Sequence, residues 1–555
     1  MPNTTPRDYY RGYRHPYVFG VHYLGGVGDN PRTLVELAMC QFSAELRRKP
    51  EWWKQFQNQD TRREWYDAAT EREWSVRTPS TVIPVILSPQ QIDYILDELG
   101  GYAGLRDEKH NCQVSCFERI WESESLLDDS TSTQLKQELD QLRQHTSRHT
   151  SHDDNGVTVS LIDPTLYCLV YNRTFVSHPS RMPRPLPSPP SADVYTMSPK
   201  SAMLPSDVSV SPDVSSVKFI SYVNNLHSKW HRSLYDLLET CLARFIPLFE
   251  HTLTDLHRNN PLMQRIPGPC RYTIWDEPDE PEHSDDEESW ANYERDLRFW
   301  VLNRPIQLPD IAPHGYQGGL ERRKHITTLR GRNLQVIVDV SEIRLSPNGP
   351  SYQGSQWHVE GMRNERVVAC GVHCLSVDNV TPSSIQFRMA VTYPRGFFAG
   401  DIGATLRTWG LRDGDSCHQH IGSVPLQAGF SVVFPNIYQH RQMPFQLADP
   451  TKEGHLTLVT FLLVDPDIQP VVSTSAVAPQ QKDWIEEALY EALQGRLPAE
   501  LITKVMENVE SVMQENEADD YRDEMLRIRN AFRQANDNYL FCIPFDIWNG
   551  PEVAH

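Results

Sequence analysis

The chain has 555 residues, a formal net charge of −20 and ten irregularly spaced cysteines. That length suits two to four ordinary domains or one enlarged core with additions. The acidic balance argues against bulk nucleic-acid or anionic-membrane binding, because phosphates would be repelled, and no apolar run is long enough to span a bilayer.

Met1 to Gly20 is polar, aromatic and basic and lacks the apolar segment of a secretory signal. With cysteines that read as reduced thiols, the expected compartment is cytoplasmic. Thr33 to Lys49 has helical periodicity, and Val82 to Leu87 is a strand candidate. Ser88-Pro89-Gln90-Gln91 reads as a capping box with proline in the first turn, predicting a helix to Leu99 that stops at Gly100-Gly101. Cys112 and Cys116 lack a second pair at finger-like distance and read as core or half-buried cysteines. Leu126 to Arg148 is a polar helix or mobile segment, Leu161 to Val176 is ordered and aromatic, and Ser177 to Pro212, rich in proline and serine, predicts an exposed excursion with little regular structure. An amphipathic helix is expected over Ser233 to Leu256. The acidic run Asp276 to Glu282, within Trp275 to Ser289, lacks the glycine turn of a calcium loop and reads as a solvated loop.

From Asn333 the pattern changes to strands: Leu334–Leu345, Glu365–Val377, Ile385–Thr392, Ser431–Phe434 and His455–Val464. Short strands without intervening long helices predict an α+β fold whose core is a double-stranded β-helix of the jelly-roll or cupin type, with helical additions at both ends. The expected divisions are 1–215, 216–332, 333–470 for the core and 471–555. The last holds helices over Lys482–Leu493, Pro498–Met513 and Asp519–Asn536, then an apolar tail, Tyr539–Trp548, that packs back.

The chemistry centres on Gln356-Trp357-His358-Val359-Glu360-Gly361. On a strand, His358 and Glu360 would project from one face. A third ligand is offered by His440, which closes Phe434-Pro435-Asn436-Ile437-Tyr438-Gln439-His440. Two histidines and a carboxylate form a facial triad with three open positions, the ligand set of non-haem iron(II) that activates dioxygen. Those positions suit a bidentate 2-oxo acid plus dioxygen, which makes 2-oxoglutarate the expected cosubstrate. Its distal carboxylate needs a cationic anchor, best an arginine. Cys370, His373 and Cys374 have the periodicity of a strand core, and Cys417-His418-Gln419-His420 reads as a polar loop.

From Leu334 to Trp484 the sequence resembles a large fungal family of uncharacterised-domain proteins within the iron(II)/2-oxoglutarate oxygenase superfamily. The residues that carry the resemblance include Trp357 to Gly361, Phe387-Arg388, Gln439-His440-Arg441, Leu447 to Lys452, Phe461 to Pro466 and Pro479 to Trp484. Weaker likeness extends through Asp163 to Tyr167 and Tyr222 to His227. The resemblance implies a β-helix core with His358, Glu360 and His440 as metal ligands. It also implies Gly-His-Arg-Lys on the strand after the distal histidine, where this chain has Gly454-His455-Leu456-Thr457. Leu456 cannot bind a carboxylate, and Arg388 is the expected substitute anchor. Some members look like amino-acid oxidases of secondary metabolism, including enzymes that close an aziridine ring on L-valine. An aliphatic amino acid is therefore an expected small-molecule substrate, with Ile343 and Leu345, which share a strand face, as candidate pocket residues. The rival readings are a cupin-like metal-dependent hydrolase or isomerase that uses no 2-oxo acid, and a degenerate β-helix that acts as an interaction module.

Overall fold

The computed structural model describes residues 12–17, 28–145, 157–178, 180–189, 196–257, 260, 262–268, 270–272, 276–282, 286–493 and 496–548. The reading of Met1 to Gly20 falls largely outside these residues, as do parts of the 126–148, 177–212 and 275–289 segments.

The fold is mixed α+β, built around a large antiparallel sheet. Its strands, in chain order, are β1 (Gln113–Val114), β2 (Trp121–Ser123), β3 (Thr158–Ile162), β4 (Ser206–Val210), β5 (Val217–Phe219), β6 (Asn333–Leu345) and β7 (Val367–Asp378). After β8 (Ser383–Ala390) and β9 (His418–Leu426) come β10 (Ser431–Pro435), β11 (Tyr438–Gln442) and β12 (Gly454–Val464). Nine strands pair in the spatial order β5-β4-β6-β12-β7-β10-β2-β1, with β3 on β6, and three more pair as β9-β8-β11. Strands from residues 113–219 thus extend the same sheet as those from 333–464.

The central strands are apolar on both faces because both are covered. On one face Val338, Val340, Val459 and Phe461 pack with Leu242, Phe245 and Phe249 of the long helix α1 (Arg232–Leu256). The Phe245 and Phe461 rings lie 5.5 Å apart. Gly371 on β7 lets α1 approach, since a Cβ there would meet Phe245 at 2.8 Å. On the other face Cys370, Val372, Phe434 and Leu462 meet Ile385, Phe387 and Met389 of the three-stranded sheet. Phe387 and Phe434 join the two sheets with ring centroids 5.0 Å apart. A helix over Glu515–Asn536, α2, borders this body, and the chain end closes on it through Phe541, Ile543, Phe545 and Ile547, all buried. No described helix is long and apolar enough to cross a membrane.

Several expectations need correction. The capped helix begins at Pro89 with the Ser88 capping box, but it runs through both glycines to Leu105. Tyr102 is buried, and its hydroxyl accepts from Arg265 at 2.7 Å. That packing outweighs the roughly 1 kcal/mol each glycine costs in a helix. His418 to His420 lie on β9, not in a loop, with His418 and Gln419 buried against neighbours. The 177–212 segment carries Arg181–Pro185, Ser201–Ala202 and β4 as strands. In β4 the buried Ser206, Val208 and Val210 alternate with the more exposed Asp207 and Ser209, the period of a strand with one covered face. Cys112 and Cys116 are buried free thiols, as expected.

Candidate metal centre

His358 and Glu360 do not sit on a regular strand. The segment joining β6 to β7 meets β11 at the bridge His358 to His440, and again where Ser355 N–H donates to the Gln442 carbonyl at 3.0 Å. The two histidine backbones exchange hydrogen bonds, His358 N–H to His440 O at 3.1 Å and His440 N–H to His358 O at 3.0 Å. That bridge suffices to bring both imidazoles to the same side. Gly361 then turns the chain with φ +68°, where a side chain would be strained and would meet Val367 and Glu365. Glu365, fully buried, ties this turn to Arg529 of α2 at 2.6 Å.

Three side chains converge. His358 Nε2 lies 3.3 Å and His440 Nε2 3.4 Å from the same oxygen, Glu360 Oε1. The three ligand atoms all lie within 4.8 Å of one another. A charge-assisted hydrogen bond would be shorter, about 2.7–2.9 Å. With metal bonds of about 2.1 Å, neighbouring ligand atoms of one polyhedron lie roughly 3.0–3.4 Å apart. The trio therefore has the spacing of a coordination edge. His358 Nδ1 is 2.7 Å from the Gln356 carbonyl, so that nitrogen donates and the Nε2 lone pair is left for a metal. Burial works against the charge of Glu360, but the two imidazoles outweigh it and hold the carboxyl well below the usual carboxylate range. Burial, with His358 alongside, pushes His440 down to about 4, which keeps its ring neutral. The donor set fits a divalent cation of the iron or zinc type.

Asn436, in the turn between β10 and β11, holds the centre from behind. Its Oδ1 accepts from the Glu360 N–H and its Nδ2 donates to the Glu360 carbonyl, both at 2.8 Å. Tyr17 adds a hydroxyl to the same carbonyl at 3.0 Å. The role of Asn436 was missed in the sequence, although it stands in the Phe434-Pro435-Asn436 motif: nothing local shows that a turn amide reaches back across the sheet.

The structure does not bring Arg388 to the trio. On β8, Phe387 pairs with His440 and Arg388 with Gln439, so Arg388 points to the opposite face of the small sheet. There its Nε donates to Gln439 at 2.6 Å and its guanidinium is paired with Asp537. Arg388 and Arg441 both lie 4.6 Å from the Trp357 ring on that outer side. Ile343 and Leu345 are buried in the core between the sheets, with Ile343 opposite Leu456. Leu456 is itself fully buried, so no cation stands at the anchor position that the resemblance implies. Cys370 and Cys374 face the inter-sheet core, while His373 bonds Ser431 Oγ at 2.8 Å. A second group, Asp107, Cys112 and His251, also converges. Its Asp107 Oδ2 is 2.7 Å from His110 and 3.0 Å from His251, which are hydrogen-bond lengths, and this group reads as a latch between a loop and α1.

A mixed α+β scaffold with a two-histidine, one-carboxylate centre at the seam of two antiparallel sheets defines this molecule as a candidate metalloprotein. The chain belongs to the family described as "Protein of unknown function (DUF4246)", whose model matches residues 89–488, and the N-terminal domain model of the same family matches residues 2–68. No curated protein matches it. Among solved structures it is similar to IDO from Bacillus thuringiensis, at 10% identity and TM-score 0.23 over 62% of this chain and 90% of that one. It is also similar to the Fe(II)/(alpha)ketoglutarate-dependent dioxygenase TqaL, at 10% identity and TM-score 0.21 over 64% of this chain and 95% of that one. A Pseudomonas putida prolyl-4-hydroxylase follows at 14% identity and TM-score 0.13, covering 23% of this chain and 52% of that one. With scores this low, the reading of function rests on the residues of the site.

Proposed function

We propose that this chain is a non-haem iron(II) oxygenase that uses 2-oxoglutarate and dioxygen to oxidise a small molecule, with His358, Glu360 and His440 as the three metal ligands. In this reading the two sheets form a double-stranded β-helix. The observation that carries it is the placement of two imidazole Nε2 atoms 3.3 and 3.4 Å from one Glu360 oxygen. Bound there, iron(II) would supply the oxidising chemistry and leave three positions for cosubstrate and dioxygen. The chain's own part is to hold and orient. Gln356 fixes the tautomer of His358, and Asn436 and Tyr17 fix the backbone of Glu360. Phe434, with its ring 4.7 Å from that of His440, shields one side from water. The substrate proposed from the resemblance is an aliphatic amino acid such as L-valine.

A second reading, a metal-dependent hydrolase or isomerase without a 2-oxo acid, is favoured by one observation: Leu456 is buried where an anchoring arginine would stand, and Arg388 faces away. Anaerobic titration with iron(II) and then 2-oxoglutarate separates the two. The oxygenase reading expects a weak visible charge-transfer band that His358→Ala abolishes. Iron uptake without a band selects the second reading, and no iron uptake overturns both.

A further inference from the structure

In the middle of a sheet covered on both faces, strand residues should be buried throughout. β6 and β12 break that rule on one face only. Asp339 and Ser341 on β6, and Leu458 and Thr460 on β12, are partly exposed, while their alternates Val338, Val340, Val459 and Phe461 are buried. Asp339 pairs with Thr460 and Ser341 with Leu458, so the four form one contiguous patch. The patch lies on the side that faces the small sheet, which carries His440. The space between the sheets is therefore open above it.

Asp339 is the one ionisable side chain of the patch. Asp339 accepts a long hydrogen bond from Ser160 Oγ at 3.4 Å, and no ion pair reaches it among the described residues. The neighbouring acid, Asp163, is differently placed, since Arg522 holds it at 2.8 Å. Burial, with the charges of Asp163 and Glu360 in range, pushes the Asp339 carboxyl up to about 8. Ionising a carboxyl within range of two other carboxylates is costly, and a ligand that brings a cation lowers that cost. An anionic group placed on the patch would add to that cost.

We propose that the substrate of this site carries an ammonium group received by Asp339, with Ser341 and Thr460 as hydrogen-bonding neighbours and Leu458 as an apolar contact. The inference rests on the proposed metal centre, because Asp339 can select the substrate only if that centre is the reacting one. It makes Asp339 the residue that selects substrate by charge. The sequence held a signal for it: an aspartate within Val336-Ile337-Val338-Asp339-Val340, an otherwise apolar run.

Isobutylamine and isovalerate share a hydrocarbon part and differ in charge, which makes them suitable probes. Calorimetry on the full chain, metal-free and cobalt(II)-loaded, should show the amine binding at least about tenfold tighter than the acid. Asp339→Asn should erase the preference while keeping cobalt uptake. Thr460→Lys, which sets an internal ammonium directly opposite Asp339, should abolish amine binding and raise the melting temperature, and so serves if Asp339→Asn does not fold. Equal binding of the two probes, or a preference that survives both variants, overturns the proposal. Failure of cobalt uptake in the unmodified chain overturns the metal centre instead, and the metal-free titration still decides the role of Asp339.

Discussion

The side-chain amide of Asn436 closes both backbone groups of Glu360, with Oδ1 on its N–H and Nδ2 on its carbonyl, each at 2.8 Å. Nδ2 also reaches the Val367 carbonyl at 3.0 Å, so one fully buried side chain joins the ligand segment, the start of β7 and the β10–β11 turn. Asn436→Ala should leave buried backbone groups unpaired, at about 1–3 kcal/mol each. It should also weaken iron(II) or cobalt(II) binding by roughly 10–100-fold, the usual effect of losing a group that orients a ligand. Urea unfolding and metal titration measure the two effects separately. Unchanged metal affinity in a folded Asn436→Ala would remove Asn436 from the centre.

Gly371 is a position where a single methyl should be felt. A Cβ there would meet Phe245 at 2.8 and 2.9 Å and Phe249 at 3.0 Å, and both rings are fully buried. Interiors are close-packed, so Gly371→Ala should cost about 1–3 kcal/mol by forcing α1 away from β7. Adding Phe245→Leu should recover part of that loss in a double-mutant cycle. Additive effects of the two changes would place the strain elsewhere.

The strands from 333 to 464 were legible because their alternation and β-branched content are local, and so was the capping box at Ser88. The candidate metal trio was legible for a different reason: a site for one ion calls for particular side-chain types, and His358, Glu360 and His440 are of those types. What could not be read was pairing. Nothing near Gln113, Thr158 or Ser206 tells that β1, β3 and β4 join the sheet of β6, since those contacts lie far apart in the chain. The direction of Arg388 was hidden for the same reason. Whether it faces the side of His440 or that of Asp537 depends on the register of β8 against β11, which local pattern does not fix.

Arg388 separates a structural from a ligand-binding role. It is buried, paired with Asp537 and bonded to Gln439, and it stands on the face opposite His440. Arg388→Ala should destabilise the fold by about 2 kcal/mol, less than the loss of a fully buried pair because Asp537 keeps access to water. Iron(II) uptake and 2-oxoglutarate affinity should be unchanged. A loss of 2-oxoglutarate binding of about tenfold or more in a folded variant would return Arg388 to the role of anchor.

His373 should make the fold sensitive to mild acid. It is fully buried on β7, with Nδ1 2.8 Å from Ser431 Oγ, and burial, assisted by the charge of Lys136, pushes it down to about 4 from an ordinary 6.5. Above 6.5 the ring is neutral whether the chain is folded or not, and it adds no pH dependence. Between 6.5 and about 4 the unfolded chain takes a proton that the native state refuses, so stability falls as pH falls. Below about 4 both states are protonated and the loss levels off near 3 kcal/mol, of which about 2 kcal/mol has gone by pH 5. His418 and His420, pushed down to about 3 chiefly by burial, act in the same direction. His373→Gln keeps a hydrogen-bonding group near Ser431 and cannot titrate. Urea unfolding at about pH 7 and about pH 5 should therefore show a smaller loss in the variant than in the unmodified chain, by about 2 kcal/mol. Equal losses would mean that His373 is protonated, or reached by water, in the native state.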